Sequence, residues 1–297
     1  MTRKTADDFD PEVLILFDAY VHGHIDRRGF LDRAKKFAVG GMTAGMLLDA
    51  LNPNFADAQQ VAKDDARIRT QYLDYPSPQG NGKGRGYLVV PAKAPGRLPG
   101  VLVIHENRGL NPHIEDIARR VALDNFVAFA PDALAPLGGY PAGGEDEARQ
   151  LFGKLDREKT AEDMVAAAEF LETRPECTGR IGAVGFCWGG GIVNMLATRL
   201  PDLAAAVPFY GSAAPAADVP KIKAAMLIQY AGTDPRINAA WPAFEEALKA
   251  AKVPYTMHMY EGTQHGFNND TTPRYDEKAA TLAWQRTIEF FNTHVRK

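Results

Sequence analysis

The sequence predicts an α/β fold in which a mostly parallel β-sheet carries helices on both faces. Short runs rich in Val, Ile, Leu and Ala recur without strict alternation, as expected of strands that are buried on both faces. Amphipathic stretches separate these runs, and this order of strand and helix is typical of a parallel sheet covered on both sides. Polar residues follow several runs directly, at the strand ends where open parallel sheets bind ligands.

Seven apolar runs are predicted to be strands, and five stretches between them are predicted to be helices. The strands are GYLVVPA, GVLVIHE, FVAFAPD, RIGAVGF, AAAVPFYG, AMLIQYAG and YTMHMYEG. The helices cover roughly residues 114–124, 158–173, 190–200, 241–251 and 276–293. The segment LAPLGGYPAGGEDEARQ is predicted to be a long loop that forms a lid over the site.

Part of the N-terminal segment resembles a twin-arginine export signal. Arg27-Arg28 precede the weakly apolar stretch FAVGGMTAGMLLDAL, and Ala56-Asp57-Ala58 offers a small-residue cleavage site. Asp49, however, lies inside the supposed apolar stretch. On this interpretation the segment would be removed and the protein would be periplasmic.

The alternative is a helical arm that stays on the protein. The segment FDPEVLILFDAYVHGH, upstream of the arginines, has the apolar spacing of a packed helix, which is unusual before a signal. The apolar stripe consists of Phe9, Val13, Leu16, Phe17 and Tyr20. We therefore favour an arm over residues 1–66, packed on a domain of residues 67–297, and a cytoplasmic location.

Length and composition narrow the possible classes of protein. A chain of 297 residues suits one large domain with an appendage. The net charge of −3 gives no reason to expect nucleic acid or an anionic membrane as a partner, and no apolar run approaches the ~18 residues of a membrane span. The only two cysteines, Cys177 and Cys187, are too few for a disulfide framework and are expected to be free thiols.

The stretch GFCWGGG contains the most specific local motif. Gly185, Cys187 and Gly189 have the spacing of a nucleophile elbow, with cysteine where serine usually stands. Residues two before and two after the nucleophile must be small so that the backbone can pass, and glycine meets that need. An ordinary buried cysteine in a glycine-rich turn would look similar, so the motif needs a base and an acid elsewhere in the chain.

A candidate acid and a candidate base both follow the elbow in the sequence, in the order found in hydrolases with a nucleophile elbow. Asp234 comes after the run AMLIQYAG, and His265 comes after YTMHMYEG. Taken alone, such an Asp is usually a turn former and such a His is usually solvated. Their joint occurrence, in order and at strand ends, predicts a triad of Cys187, His265 and Asp234.

The chemistry of a thiol nucleophile agrees with this triad. The thiolate is the attacking species, and a free cysteine with a pKa near ~8.5 is only slightly ionised at neutral pH. A neighbouring imidazole and the start of the following helix both favour the anion. Asp234 would hold the His265 ring in the right tautomer and stabilise its protonated form.

These motifs resemble the dienelactone hydrolase family of α/β-hydrolases. The resemblance rests on GFCWGGG, AGTDPR, EGTQHGF and HENRGL, and it covers about residues 67–295. It implies the α/β-hydrolase fold. It also implies Cys187 as nucleophile, His265 as general base and acid, and Asp234 as the residue that orients the imidazole.

The same resemblance implies three further site residues. Glu106 would contact the resting thiol and help to generate the thiolate, and the backbone N–H groups of Asn107 and Trp188 would form the oxyanion hole. General rules alone would let a carboxylate raise the pKa of a nearby thiol. Glu106 would therefore have to accept the proton or move away.

The sequence departs from the family where its best-known members bind a substrate carboxylate with two arginines. Asn269 stands at one position, four residues after His265, and Glu145 falls near the other. Substitutes nearby in sequence, each of which could instead be a surface residue or a structural ion pair, are Arg108, Arg149 and Arg236. Phe267, like Trp188, is expected either to line the pocket or to pack.

No metal or cofactor site is predicted. The HGH motif at His22–His24 lacks a third ligand at useful spacing and is expected to be a helix end. The stretch GGGIVN lacks the G-x-G-x-x-G spacing of a dinucleotide fingerprint. Thiol hydrolysis itself needs no cofactor.

The sequence therefore predicts a hydrolase that cleaves a lactone or small ester through an acyl-cysteine intermediate. Two alternatives stay open: a ligand-binding protein that keeps the fold without turnover, and a hydrolase of another acyl substrate such as a thioester. The expected partner is a small molecule. The sequence leaves the physiological substrate and the oligomeric state open.

Overall fold

The computed structural model describes residues 4–38 and 41–296, which form eight strands and eleven α-helices. The strands are β1 Ile68–Ser77, β2 Gly82–Pro91, β3 Leu98–Ile104, β4 Val127–Pro131, β5 Cys177–Phe186, β6 Ala205–Phe209, β7 Ala225–Thr233 and β8 Tyr255–Gln264. The first helices are α1 Pro11–Val21, α2 Arg27–Ala34, α3 Ala44–Leu51, α4 Phe55–Ala58, α5 Pro112–Leu123 and α6 Glu145–Phe152. The remaining helices are α7 Arg157–Glu172, α8 Trp188–Arg199, α9 Pro235–Asn238, α10 Trp241–Ala250 and α11 Glu277–His294.

All eight strands belong to one sheet, in the order β1-β2-β4-β3-β5-β6-β7-β8. β1, β2 and β4 pair antiparallel, and every pair from β4 to β8 is parallel. The carboxyl ends of β3, β5, β7 and β8 therefore lie along the same edge of the sheet. This is the α/β-hydrolase arrangement that the sequence predicted, and the predicted triad residues follow β5, β7 and β8.

Every predicted strand and helix is present, but several elements were not predicted individually, among them the edge strand β1, helix α6 and the short helices α4 and α9. β1 has an irregular burial pattern with many exposed positions, because it is an edge strand paired on one side only. Its sequence therefore lacks the continuous apolar run of the inner strands. α6 lies inside the predicted lid loop, where the preceding glycines and proline hid a short amphipathic helix that follows Gly144 at φ 76°.

The sheet is covered on both faces by apolar helix surfaces. One cluster joins the sheet to α7, α8 and α10, with Met164, Leu196 and Leu248 fully buried. The other joins it to α5 and α11, where Ile117 and Phe291 are fully buried. Two packed layers of this kind hold the strand ends rigidly, and the site residues are attached to those ends.

Helices α1 to α3 form a layer with an apolar cluster of its own. Phe17, Tyr20 and Phe30 are buried and pack ring against ring, with centroids 5.6 to 6.4 Å apart. The predicted stripe on α1 is buried except for Leu16, which is partly exposed. Across the described ranges, no helix has the length and apolarity that a membrane crossing requires.

Candidate active site

Cys187 occupies a strained turn between β5 and α8. Its backbone has φ 55° and ψ −112°, a conformation that few non-glycine residues adopt. A Cβ on Gly185 would lie 2.2 Å from the carbonyl oxygen of Gly189, and one on Gly189 would lie 2.4 Å from the carbonyl oxygen of Ile104. Both flanking glycines are thus required by close backbone contact, which explains the spacing of the motif.

His265 and Asp234 meet at the ends of β8 and β7. Nδ1 of His265 lies 2.5 Å from Oδ2 of Asp234, and both side chains are buried. Because Nδ1 donates to the carboxylate, the lone pair of the neutral ring is on Nε2. Nε2 has no hydrogen-bond partner among the described residues. The imidazole is therefore held in the tautomer that can take a proton from a neighbouring group.

The thiol of Cys187 is half-buried beside two histidines rather than one. Ligand atoms of Cys187, His265 and His22 all lie within 4.8 Å of one another. Burial alone would raise the pKa of the thiol, but the charges of His265 and His22 outweigh it and lower that pKa to about 5. In turn, burial opposes protonation of His265 while the thiolate and Asp234 favour it, and the net effect is a raised pKa.

His22 is the site residue that the sequence interpretation missed. It does end α1, as expected, but its Nε2 lies 3.5 Å from Sγ of Cys187, and its ring contacts that of His265 edge to face at 4.8 Å. Periodicity within α1 could not reveal this contact, because it joins two distant parts of the chain. The Asp18-x-x-x-His22 spacing was the available signal, since it places a carboxylate beside the imidazole on one helix face.

The predicted oxyanion residues flank the elbow. Trp188 is the first residue of α8, so its backbone N–H has no acceptor within the helix. The side chain of Asn107, on the loop after β3, donates to the carbonyl oxygen of Val21 at 2.7 Å. His105 stacks on Trp188 at 5.2 Å and accepts from the backbone N–H of Ala133 at 3.0 Å, which fixes the loop that carries Asn107.

Glu106 is buried beside the site but is held by other partners. Asn269 donates to its Oε2 at 3.0 Å, and a guanidinium nitrogen of Arg108 lies 3.7 Å from the same atom. Burial would raise the pKa of Glu106, but the surrounding cations, Arg108 first among them, outweigh it and lower the pKa. A carboxylate stabilised in this way is a weak base for a thiol.

The structure places two of the proposed substrate-binding arginines in ion pairs. Arg108 is buried with its Nε 2.6 Å from Oε2 of Glu145, the residue that falls near the family's lid arginine. Arg149 pairs with Asp146 at 2.9 Å and stacks on the ring of Tyr20 at 3.6 Å. Both guanidinium groups are thereby engaged in holding α6 against the neighbouring segments.

The other two proposed substrate-binding residues differ from each other. Phe267 is fully buried against Tyr210 and Tyr260, so it packs behind the site and does not line a pocket. Arg236 is exposed, and its Nη2 lies 3.0 Å from Nε2 of His22. Of the four candidates, Arg236 is the one at the mouth of the site.

A cavity of about 430 Å³ lies between α1 and the Asp234–His265 pair, and Cys187 is not among the residues that line it. The catalytic domain contributes Asp234, His265 and Arg236, and α1 contributes apolar side chains together with Asp18. Arg274, which the sequence interpretation did not single out, also lines it and pairs with Asp18 at 3.3 Å. A small ligand in this cavity would meet Arg236 and Arg274 beside His265.

A thiol at a strand-to-helix elbow, with a carboxylate-held histidine at neighbouring strand ends of a parallel sheet, defines a hydrolase of the α/β-hydrolase class. Comparison with known proteins specifies the family. The profile of the dienelactone hydrolase family matches residues 85–295, so the chain belongs to that family of ester and lactone hydrolases. A separate profile, described as YqhI-like, matches residues 1–39.

Individual relatives agree with this assignment. The chain is 33% identical over 228 residues to "Putative carboxymethylenebutenolidase" of Synechocystis sp., a match that covers 71% of this chain and 92% of the relative. It is 55% identical over 115 residues to "Putative hydrolase fragment YghX" of Escherichia coli, covering 39% of this chain and 97% of the fragment. Among solved structures, the dienelactone hydrolase-like promiscuous phosphotriesterase P91 from metagenomic libraries aligns with a TM-score of 0.67 and 26% identity, covering 77% of this chain and 99% of P91.

Proposed function

We propose that this protein is a cysteine hydrolase that cleaves a lactone or small ester through an acyl-enzyme intermediate. The observation that carries the proposal is the elbow thiol of Cys187 beside His265, whose Nδ1 is bonded to Asp234 at 2.5 Å. The lowered pKa of the thiol, about 5, favours thiolate at neutral pH, and thiolate is the nucleophilic form.

Acylation follows from these groups. The thiolate of Cys187 attacks the ester carbonyl, forming a C–S bond, and the carbonyl oxygen becomes an oxyanion. The backbone N–H groups of Asn107 and Trp188 are proposed to donate to that oxygen; the loss of one such donor typically costs about 2.7–4 kcal/mol in other enzymes. When the C–O bond breaks, a protonated imidazole gives its proton to the leaving oxygen. In a lactone that oxygen stays attached to the acyl chain.

Deacylation regenerates the thiolate. Neutral His265 accepts a proton from water at Nε2, and the resulting hydroxide attacks the thioester carbonyl. The C–S bond breaks, the acid is released and the sulfur recovers its electron pair. Asp234 stabilises the protonated His265 in this step without taking the proton itself.

Substrate selection is proposed to differ from that of family members with two carboxylate-binding arginines. The two positions are occupied by Asn269 and Glu145, neither of which carries a positive charge. Asn269 donates to Glu106, and Glu145 forms an ion pair with Arg108, so neither position offers a cation to a substrate. Any anionic group of a substrate would instead meet Arg236 at the mouth of the cavity.

The test is hydrolysis of a cis/trans dienelactone pair and of p-nitrophenyl acetate by the full chain. We expect Cys187→Ala and His265→Ala each to lower turnover by about 10⁴-fold. Cys177→Ala is the matched control, because Cys177 is a free thiol fully buried in the core. Wild-type turnover in Cys187→Ala would overturn the proposal. Cys187-dependent cleavage of the acetate without the dienelactones would support the mechanism and assign a different substrate.

A further inference from the structure

Two aspartate–histidine pairs face the same sulfur atom. One is Asp234–His265 of the catalytic domain, and the other is Asp18–His22 on α1. Nδ1 of His22 lies 2.8 Å from the backbone carbonyl oxygen of Asp18 and 3.3 Å from its Oδ1. In both pairs Nδ1 is held by an acceptor, so Nε2 is the nitrogen that can exchange a proton with Cys187.

The segment that carries His22 is fixed in place on several sides. The carbonyl oxygen of Val21 accepts from the side chain of Asn107 at 2.7 Å. Tyr20 donates through its hydroxyl to Asp146 on α6. Asp18 pairs with Arg274, which lies over the ring of Phe17 at 5.2 Å from its centroid. These contacts give His22 a defined position relative to the thiol.

Titratable and charged groups face His22 from several elements, and the ring of His24 on its own segment lies 6.3 Å from it. Asp18 lies on its own helix, His265 and Cys187 come from the sheet, and Arg236 approaches from the loop after β7. Arg236 donates to Nε2 in the arrangement described, so Nε2 carries a lone pair there. A proton on Nε2 would displace this exposed guanidinium and pair the imidazole with the thiolate instead.

We propose that His22 is a second acid–base residue of the catalytic site, which takes the proton from the Cys187 thiol and later delivers it to the leaving oxygen. The proposal rests on the proposed function of Cys187 as nucleophile. It gives His22 the proton-accepting role that the family resemblance implied for Glu106, whose carboxylate is bound by Asn269 and Arg108.

Each proton in this scheme is accounted for. The S–H proton moves to Nε2 of His22, leaving thiolate and imidazolium. As the C–S bond forms and the C–O bond breaks, the imidazolium returns that proton to the leaving oxygen, and both histidines are then neutral. His265 next takes a proton from water, and the hydroxide displaces the sulfur as thiolate. The proton on His265 finally passes through the sulfur to His22.

The raised pKa of His22 corresponds to the state in which Nε2 is paired with the thiolate and not with Arg236. Burial alone would lower its pKa, but the thiolate of Cys187 and the Asp18 carboxylate reverse that effect and raise the pKa to about 10. His22 also ends α1, where the helix dipole favours a cation. An imidazolium in this position stabilises the thiolate.

The experiment measures the pH midpoint of iodoacetamide alkylation at Cys187, followed by mass spectrometry of its peptide, in the full chain. Wild type is compared with His22→Gln, and His24→Ala is the matched control, because His24 is exposed on the same segment. A chelator is included, since His22, Cys187 and His265 could also bind a metal ion. We expect His22→Gln to raise the midpoint by about 1 pH unit or more. His24→Ala should leave it unchanged.

A second variant and a second readout keep the result interpretable. Asp18→Asn keeps the helix residue similar in size and removes only the carboxylate, so the midpoint should rise by less than in His22→Gln. In single-turnover acetate cleavage, His22→Gln should slow acylation more than deacylation. An unchanged midpoint with faster alkylation at every pH would overturn the proposal and identify His22 as a cover over the thiol. If Cys187→Ala retained activity, the proposed function itself would fail, whatever the midpoint.

Discussion

Nε2 of His22 lies 3.5 Å from Sγ of Cys187, although 165 positions separate the two residues in the sequence. The N-terminal helix therefore completes the surroundings of the elbow thiol. Since His265 approaches the same sulfur from the end of β8, two imidazoles face one sulfur atom. The ionisation of the three groups is coupled, and this coupling decides the pH range over which the site is active.

The pH dependence of kcat/KM is expected to be bell-shaped. On the acid side, activity should rise as the thiol ionises, with a midpoint near pH 5, because its lowered pKa of about 5 makes thiolate the main form above that value. On the alkaline side, activity should fall near pH 10, where His22 loses its proton. Both midpoints belong to the coupled group rather than to single residues.

The measurement is p-nitrophenyl acetate hydrolysis at constant ionic strength, with the uncatalysed rate subtracted at each pH. Cys187→Ala supplies the protein background. An acid limb with its midpoint near ~8.5, the value of an ordinary thiol, would contradict the ion-paired state of the cysteine.

The sequence predicted the sheet, its flanking helices and the Cys187, His265 and Asp234 positions, because each is encoded locally by an apolar run and the residues after it. The contact of His22 with the thiol could not be predicted in this way, since it depends on how a separate helical layer docks on the sheet. The ion pair of Arg108 with Glu145 could not be predicted for the same reason. It depends on α6, a helix that the glycine-rich sequence before it did not indicate. Local pattern thus specified the catalytic strand ends but not what covers them.

The buried pair of Arg108 and Glu145 is expected to stabilise the lid helix α6 strongly. Their side chains are only 6% and 12% exposed, with Nε and Oε2 2.6 Å apart. Glu145→Ala would leave a buried guanidinium without this partner, at a cost of about 3 kcal/mol in the free energy of unfolding. Urea denaturation of the variant and wild type measures the difference.

A surface pair provides the control for that prediction. Nη2 of Arg199 lies 3.0 Å from Oε2 of Glu162, but these side chains are 44% and 29% exposed. Glu162→Ala should therefore cost less than about 1 kcal/mol, because water and salt screen the pair. If Glu145→Ala and Glu162→Ala lost the same free energy of unfolding, the burial of Arg108 would not determine the loss.

We expect the apolar cluster formed by α1, α2 and α3 to unfold locally, without unfolding of the sheet. Phe30 is fully buried there, against Phe17 and Tyr20. Phe30→Ala removes a large buried ring, which typically costs about 3–5 kcal/mol. Because the ring packs within this helical cluster, we expect faster amide hydrogen exchange in α1 to α3 and unchanged exchange in the sheet.

The matched control is Ile15→Ala, since Ile15 lies on α1, in the same layer of helices as Phe30, but is 68% exposed. It should leave hydrogen exchange in all three helices close to wild type. If Phe30→Ala instead accelerated exchange equally in the central strands, the arm and the sheet would unfold as one unit. Phe30→Ala should also raise the pH midpoint of Cys187 alkylation, because the same cluster holds the helix that ends at His22.

The elbow should tolerate no side chain at Gly189. A Cβ there would lie 2.4 Å from the carbonyl oxygen of Ile104, at the end of β3, and 2.5 Å from that of His105, in the loop that carries Asn107. Gly189→Ala must therefore move either α8 or that loop, at a cost of about 3 kcal/mol in the free energy of unfolding. We also expect kcat for acetate hydrolysis to fall, because the same displacement moves the backbone N–H of Asn107, a proposed oxyanion donor, relative to Cys187. Gly153→Ala is the control, since Gly153 has helical backbone angles and a Cβ there would lie no closer than 3.5 Å to its neighbours. Urea unfolding and acetate hydrolysis of both variants test this, and a fully active Gly189→Ala would show that the elbow can shift without loss of the site.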